Sequence, residues 1–109
     1  MTATEAIRVV FVTAPDAETG ARLARTLVEE RLAACVNVVP GVRSIYRFEG
    51  KVHDDSEVLL IVKTRADRCE ELATRIRVLH PYSVPEVLAL AAAGGSEPYL
   101  AWVAAESSR

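Results

Sequence analysis

Residues 80–86 (HPYSVPE) bring together several side chains of the types that bind ligands. A neutral imidazole such as that of His80 suits copper and other late transition metals. Tyr82 offers an apolar ring with a polar hydroxyl, Glu86 adds a carboxylate, and Lys63 ends an otherwise apolar run elsewhere in the chain. We therefore predict His80 as a candidate metal ligand and Lys63, Tyr82 and Glu86 as candidate residues of a small-ligand pocket.

The same segment also has a purely structural interpretation. His80 falls in the last turn of a predicted helix, where a cationic side chain meets unpaired carbonyl groups and the negative end of the helix dipole. Pro81 ends that helix, and Pro85 sets an extended conformation before the next strand. Three interpretations of residues 80–86 stay open at this point: a corner between two elements, a small-ligand pocket and a copper site.

The spacing of apolar residues predicts the elements that position this segment. Short β-branched runs indicate strands, and apolar residues three to four positions apart indicate amphipathic helices. Asp16 is placed to cap the first helix, and Thr64 or Asp67 to cap the second. The predicted strands are residues 7–13, 35–48, 52–64 and 87–92, and the predicted helices have apolar faces over residues 17–32, 69–79 and 97–105.

This order of elements favours a single α+β domain over residues 1–109. Only the turn Glu49-Gly50-Lys51 separates the second strand from the third, which leaves no room for the crossover helix of a doubly wound fold. The pattern is that of the ferredoxin-like βαββαβ fold, here with a long central hairpin and a short C-terminal helix. Because proline cannot donate to a strand ladder, Pro40-Gly41 predicts a bulge or bend in the second strand, or an edge position for it.

The central hairpin is too long for the domain that carries it. Each arm would span roughly 43 Å at about 3.3 Å per residue, whereas a compact chain of this length is about 34 Å wide. The tip should therefore extend beyond the domain, and it carries the apolar residues Ile45, Tyr46 and Phe48. An apolar two-stranded overhang is unstable alone, so we predict that these three residues contact another copy of the chain.

Charge and composition exclude several classes of protein. The formal net charge of −2 gives no basic face for nucleic acid, and no apolar run approaches the roughly 18 residues that span a bilayer. Without the features of a signal peptide, the protein is predicted to be cytoplasmic, with Cys35 and Cys69 as free thiols. No recognised hydrolase, metalloprotease or phosphate-loop motif occurs, so we predict that it is not an enzyme.

Four blocks of the sequence together resemble the CutA family, whose members are linked to divalent-cation tolerance. The blocks are residues 31–52 (RLAACVNVVPGVRSIYRFEGKV), 58–64 (VLLIVKT), 80–86 (HPYSVPE) and 99–103 (YLAWV). The resemblance implies a ferredoxin-like subunit in a tight homotrimer, with each hairpin wrapped around a neighbour. It also implies a shape similar to that of the PII signalling proteins, which bind small ligands in clefts between subunits.

The resemblance implies a copper site only in part. The family's proposed copper ligands are a histidine at the position of His80, in some members a second histidine just before it, and a cysteine before the Thr-Ala-Pro turn. This sequence has Leu79 and Val12 at the latter two positions. Phe48 also stands where the family usually has tryptophan, so an aromatic anchor is kept and its N–H is lost.

We therefore predict a cytoplasmic homotrimer that serves divalent-cation tolerance by binding Cu(II) or another divalent cation. Two alternatives stay open. One is a PII-like sensor that takes a small metabolite in a cleft between subunits, and the other is a structural scaffold with no ligand. All three share the same partner, which is a second copy of the chain, and none involves nucleic acid or a membrane.

Overall fold

A computed structural model describes residues 6–109 and confirms the predicted order of elements. The strands are β1 (Ile7–Ala14), β2 (Cys35–Phe48), β3 (Lys51–Arg65) and β4 (Leu88–Ala91). The helices are α1 (Ala17–Glu29), α2 (Cys69–Leu79) and α3 (Glu97–Glu106), and a 3₁₀ turn, Ala66–Arg68, precedes α2. None of the helices within residues 6–109 is long and apolar enough to cross a membrane.

The described strands form one antiparallel sheet in the order β2-β3-β1-β4. The two central strands, β1 and β3, are each followed by a helix, and β2 and β4 lie at the edges. This arrangement is the ferredoxin-like fold that the sequence predicted. Both edge strands keep one side without a partner strand in the single chain.

Helices α1 and α2 cover one face of this sheet. The core between them consists of apolar strand and helix residues, chiefly Val10, Val12, Leu60, Val62, Leu23, Leu27, Leu72 and Ile76. Because successive strand residues point to opposite faces, Val9, Phe11, Leu59 and Ile61 lie on the other face. Helix α3 covers only the Ile7 end of that second face, through its buried residues Leu100 and Val103.

The predicted cap of α1 is confirmed. Asp16 has an extended backbone and its carboxylate accepts a hydrogen bond from the Thr19 amide at 2.7 Å. The helix ends at Glu29, before Leu32, because Arg31 adopts a left-handed conformation (φ 62°). The Leu32 amide then donates to the Leu27 carbonyl at 2.9 Å, which closes the helix and keeps Leu32 in the core.

The predicted cap of α2 is wrong. Arg68 occupies the capping position and no side chain caps the helix, since the 3₁₀ turn leads directly into it. Thr64 lies on β3, where its buried hydroxyl donates to the Leu32 carbonyl at 2.7 Å. Asp67 instead accepts two hydrogen bonds from Arg65. Both candidate caps are therefore used elsewhere.

The central hairpin bends and overhangs the domain, as predicted. The pairing of β2 with β3 shifts between Val39 and Val42, at Pro40-Gly41, where Gly41 has a φ of 79°. Strand β1 ends at Ala14, opposite Val58. The part of the hairpin between Val58 and the tip therefore has no third strand, and its two arms pair only with each other. The chain is consequently elongated, with principal extents of 43 × 25 × 23 Å.

Helix α1 lies so close to β3 that it has no room for a side chain at Gly20. A methyl group at this position would lie 2.8 Å from Val58 Cγ2 and 3.3 Å from Leu60 Cδ2. Gly20 is also buried. Glycine lowers the helix propensity at this position, but it allows the helix to pack closely on the sheet.

We predict that Gly20→Ala destabilises the protein although alanine favours helix. Overpacking costs about 1–3 kcal/mol, while the gain in helix propensity is about 1 kcal/mol. The free energy of unfolding should be measured by denaturant titration at one fixed protein concentration. The exposed neighbour supplies the control, because Ala21→Gly should lose the propensity term alone. A Gly20→Ala protein more stable than the parent would contradict the close-packing explanation.

Candidate ligand groove

The loop between α2 and β4 lies against the end of β1 and the outer hairpin, and together they form a groove of about 640 Å³. Its volume falls within the range of small-molecule sites. It is lined by Thr13, Ser44, Ile45, Tyr46, Phe48, Glu57, Tyr82, Ser83, Val84, Pro85 and Glu86. The predicted pocket residues Tyr82 and Glu86 thus meet the predicted contact residues Ile45, Tyr46 and Phe48 in one place.

His80 holds the loop in this position. The residue is 6% exposed, with Nε2 2.7 Å from the Thr13 carbonyl oxygen and Nδ1 3.1 Å from the Tyr82 amide nitrogen. A carbonyl can only accept and an amide N–H can only donate, so Nε2 carries the proton and Nδ1 accepts. The ring is therefore a neutral imidazole whose two nitrogens are both engaged by the backbone.

This geometry does not fit the predicted role of His80 as a metal ligand. A metal would need a free nitrogen lone pair, and the lone pair of Nδ1 already accepts the Tyr82 N–H. His80 also lies beyond the last helical turn, in an extended conformation with φ −79° and ψ 140°. Within residues 6–109 there is no group of three or more His, Cys, Asp or Glu side chains that could hold a metal ion.

Tyr82 connects the loop to the hairpin. Its ring packs on His80 with 4.7 Å between the ring centroids, and its hydroxyl donates to Glu57 Oε2 at 2.8 Å. Burial, and then the hydrogen bond and the negative charge of Glu57, raise the pKa of Tyr82 above its usual value. The phenol therefore remains a donor across the physiological range of pH, and it brings the buried Glu57 carboxylate to the wall of the groove.

Glu86 lies in the same groove, in an environment that disfavours its ionised form. Burial, and in second place the negative charge of Glu57, raise the pKa of Glu86.

On the hairpin side, the Tyr46 hydroxyl donates to Asp55, and the Tyr46 ring stacks on His53 with centroids 5.1 Å apart. The groove is thus acidic and partly aromatic.

Lys63 does not reach the groove within one chain. It lies on the same face of β3 as Glu57 but about 20 Å further along the strand, at roughly 3.3 Å per residue. There it is opposite Cys35, with Nζ 3.7 Å from Cys35 Sγ and a hydrogen bond to Asn37 Oδ1. The predicted grouping of Lys63 with Tyr82 and Glu86 is therefore not formed within the single chain.

Sequence reasoning missed Glu57 and Thr13. The alternation along β3 places Glu57 on the face away from the core, which is a weak local signal. Its partner Tyr82 is 25 residues away in sequence, and Thr13 meets His80 across 67 residues. These contacts depend on how the loop folds over the end of β1, and no short-range pattern reports that.

Comparison with known proteins identifies the family. A profile described as "CutA1 divalent ion tolerance protein" matches residues 8–106. The chain belongs to the CutA1 family. The divalent-cation tolerance protein CutA of Thermus thermophilus is 52% identical over 95 residues, which span 87% of this chain and 92% of that protein. The chloroplastic protein CutA of Arabidopsis thaliana is 54% identical over 95 residues, or 87% of this chain.

Solved CutA1 structures have the same fold. The T. thermophilus structure aligns with a TM-score of 0.91 at 48% identity, covering 94% of this chain and 99% of that one. The Oryza sativa CutA1 structure aligns with a TM-score of 0.91 at 47% identity, covering 99% of this chain and 98% of that one. The chain spans only part of the plant and animal relatives that it matches, for example 52% of the A. thaliana protein, 54% of the human one and 62% of the Xenopus laevis one.

We predict that Glu86→Gln stabilises the folded protein at pH 7. A carboxyl group whose pKa is raised by folding stabilises the fold below its unfolded pKa of about 4.3 and loses that contribution as pH rises through the folded pKa. The melting temperature of the variant should exceed that of the parent at pH 7, and the difference should disappear below about pH 4.

The control for this prediction is Glu29→Gln, which makes the same change in charge at an exposed position on α1. It should leave the melting temperature unchanged. A Glu86→Gln protein that melts earlier at pH 7 would mean that ionised Glu86 has a favourable partner, and would contradict the prediction.

Proposed function

We propose that this CutA1-family protein is a cytoplasmic homotrimer that serves divalent-cation tolerance by binding a small ligand in the groove, in the manner of a PII-like sensor, without catalysing a reaction. One observation carries the proposal. The groove gathers Tyr82, Glu57 and Glu86 in a ligand-sized space, while both nitrogens of His80 are engaged by the backbone. The groove therefore supports ligand binding better than it supports copper chelation by His80.

Self-assembly is supported by the apolar surface that the single chain leaves open. Val9, Phe11, Leu59 and Ile61 lie on the sheet face that α1 and α2 do not cover, and β4 adds the exposed Leu88 and Leu90 to it. The overhanging hairpin exposes Ile45, Tyr46 and Phe48. Contiguous apolar surface of this kind marks an interface, and three is the number of copies that the family resemblance implies.

The connection to divalent cations comes from the family. The T. thermophilus relative is named a divalent-cation tolerance protein, and we extend that role to this chain. Copper as the specific ion is the weaker part of the sequence-based prediction, since Leu79 and Val12 replace two of the three proposed ligands. The proposal therefore places the ligand in the groove and treats any effect on metal tolerance as a consequence of that binding.

We predict that Ile45→Asp disrupts assembly without unfolding the chain. Ile45 is 65% exposed in the single chain, so a charge there costs the free subunit little, whereas an interface would have to bury it. Sedimentation velocity should show a shift towards the subunit mass, with helical content retained by circular dichroism.

Val78→Asp is the matched control for assembly. Val78 is 70% exposed on α2, on the helix-covered side of the sheet, so it lies outside the proposed interface. The control should sediment as the parent does. An Ile45→Asp protein that also sediments as the parent would refute an interface at the hairpin.

We predict that His80→Ala lowers stability but leaves copper affinity unchanged. The variant leaves the Thr13 carbonyl and the Tyr82 amide without partners, and each loss costs about 1–3 kcal/mol. Thermal melting should show the loss of stability, and calorimetric titration with copper and zinc should show the same isotherms for parent and variant. Submicromolar copper binding by the parent that disappears in His80→Ala would restore His80 as a metal ligand and overturn this part of the proposal.

A further inference from the structure

Glu57 is the one buried carboxylate among residues 6–109, at 8% exposure. Its Oε2 accepts the Tyr82 hydroxyl, and no other hydrogen bond or ion pair reaches this carboxylate from the described part of the chain. An ionised carboxylate can accept about four hydrogen bonds. Since Tyr82 uses only one of these positions, Glu57 can accept further hydrogen bonds at the wall of the groove, and no basic side chain of the described part of the chain is bonded to it.

No residue of the groove supplies that positive charge. The described residues that line it include no lysine, arginine or histidine, and His80 behind the loop is a neutral imidazole. The ionised side chains that act on the groove are all acidic: Glu57 acts on both Tyr82 and Glu86, and Asp55 acts on Tyr82. The groove thus has a negative potential with no counter-charge from its own subunit.

The size and walls of the groove favour an organic cation over a bare metal ion. A volume of about 640 Å³ far exceeds that of one dehydrated ion and suits a metabolite. The rings of Tyr46, Phe48 and Tyr82 line it, and aromatic faces attract ammonium and guanidinium groups. A metal ion needs several converging ligands, and residues 6–109 contain no group of three.

We infer that the groove binds a small organic cation, with its ammonium or guanidinium group against Glu57 and Glu86 and its carbon chain against the rings of Tyr46, Phe48 and Tyr82. This inference rests on the proposed function, since it names the ligand class of the same groove. The positive group donates to the free positions of the Glu57 and Glu86 carboxylates, and the rings replace water around the carbon chain.

The test is calorimetric titration of the assembled protein at pH 7 with 1,4-diaminobutane and with n-butylguanidinium. 1,4-Butanediol is the neutral analogue of the diamine, and magnesium, zinc and copper chlorides are the metal probes. We expect saturable binding of at least one of the two cations at one site per subunit, and at least about tenfold weaker binding of the diol.

Two variants locate the site. Glu57→Gln keeps the shape of the side chain and can still accept from Tyr82, but it removes the charge, so the affinity for the cation should fall at least about tenfold. Glu29→Gln makes the same change in charge on the exposed surface of α1 and should bind as the parent does. Sedimentation of each variant shows whether assembly is retained.

Three outcomes would overturn the inference. Failure of both organic cations to bind the assembled protein rejects the ligand class. Metal binding that depends on Glu57, without binding of either cation, makes the groove an ion site and leaves the proposed ligand-binding function standing. Dissociation of the Glu57→Gln protein into subunits would place the Glu57 carboxylate in the contact between copies instead of in a ligand site.

Discussion

The groove depends on two hydrogen bonds made by one imidazole ring. His80 donates to the Thr13 carbonyl and accepts from the Tyr82 amide, so it joins the end of β1 to the loop that precedes β4. This fixes Tyr82, which then brings its hydroxyl to Glu57 on the overhanging hairpin. A metal bound at Nδ1 would break the contact with the Tyr82 amide, because the lone pair of Nδ1 already accepts that N–H.

The acidity of the groove follows from the same arrangement. The Tyr82 hydroxyl donates to Glu57, which is buried, and Glu86 in the same groove is partly desolvated. The fold therefore places Glu57 and Glu86 in one groove whose described lining includes no basic residue of the same chain. The negative charge of Glu57 adds to the effect of burial and raises the pKa of Glu86.

The sequence predicted the elements and their order well, because alternation and helical periodicity are local properties. The bulge at Pro40-Gly41 and the Asp16 cap also came from local chemistry. Prediction failed where a partner was distant in sequence. The Thr64 hydroxyl donates to the carbonyl of Leu32, which is 32 residues away. The alternation of side chains placed Lys63 on the same face as Glu57, but it did not show how far apart the two lie along the strand. Tyr82 and Glu86 were recognised as pocket residues, but their partner Glu57 was not.

The outer half of the hairpin can change in length in steps of two residues per arm without disturbing the rest of the sheet. It pairs only with itself, since β1 ends opposite Val58. Adding or removing two residues in each arm would change its reach by about 7 Å and would keep every remaining side chain on its face. The inner half lacks this freedom, because its register is shared with β1. A change in the length of the two arms can therefore alter how far the hairpin extends beyond the domain while the core sequence stays unchanged.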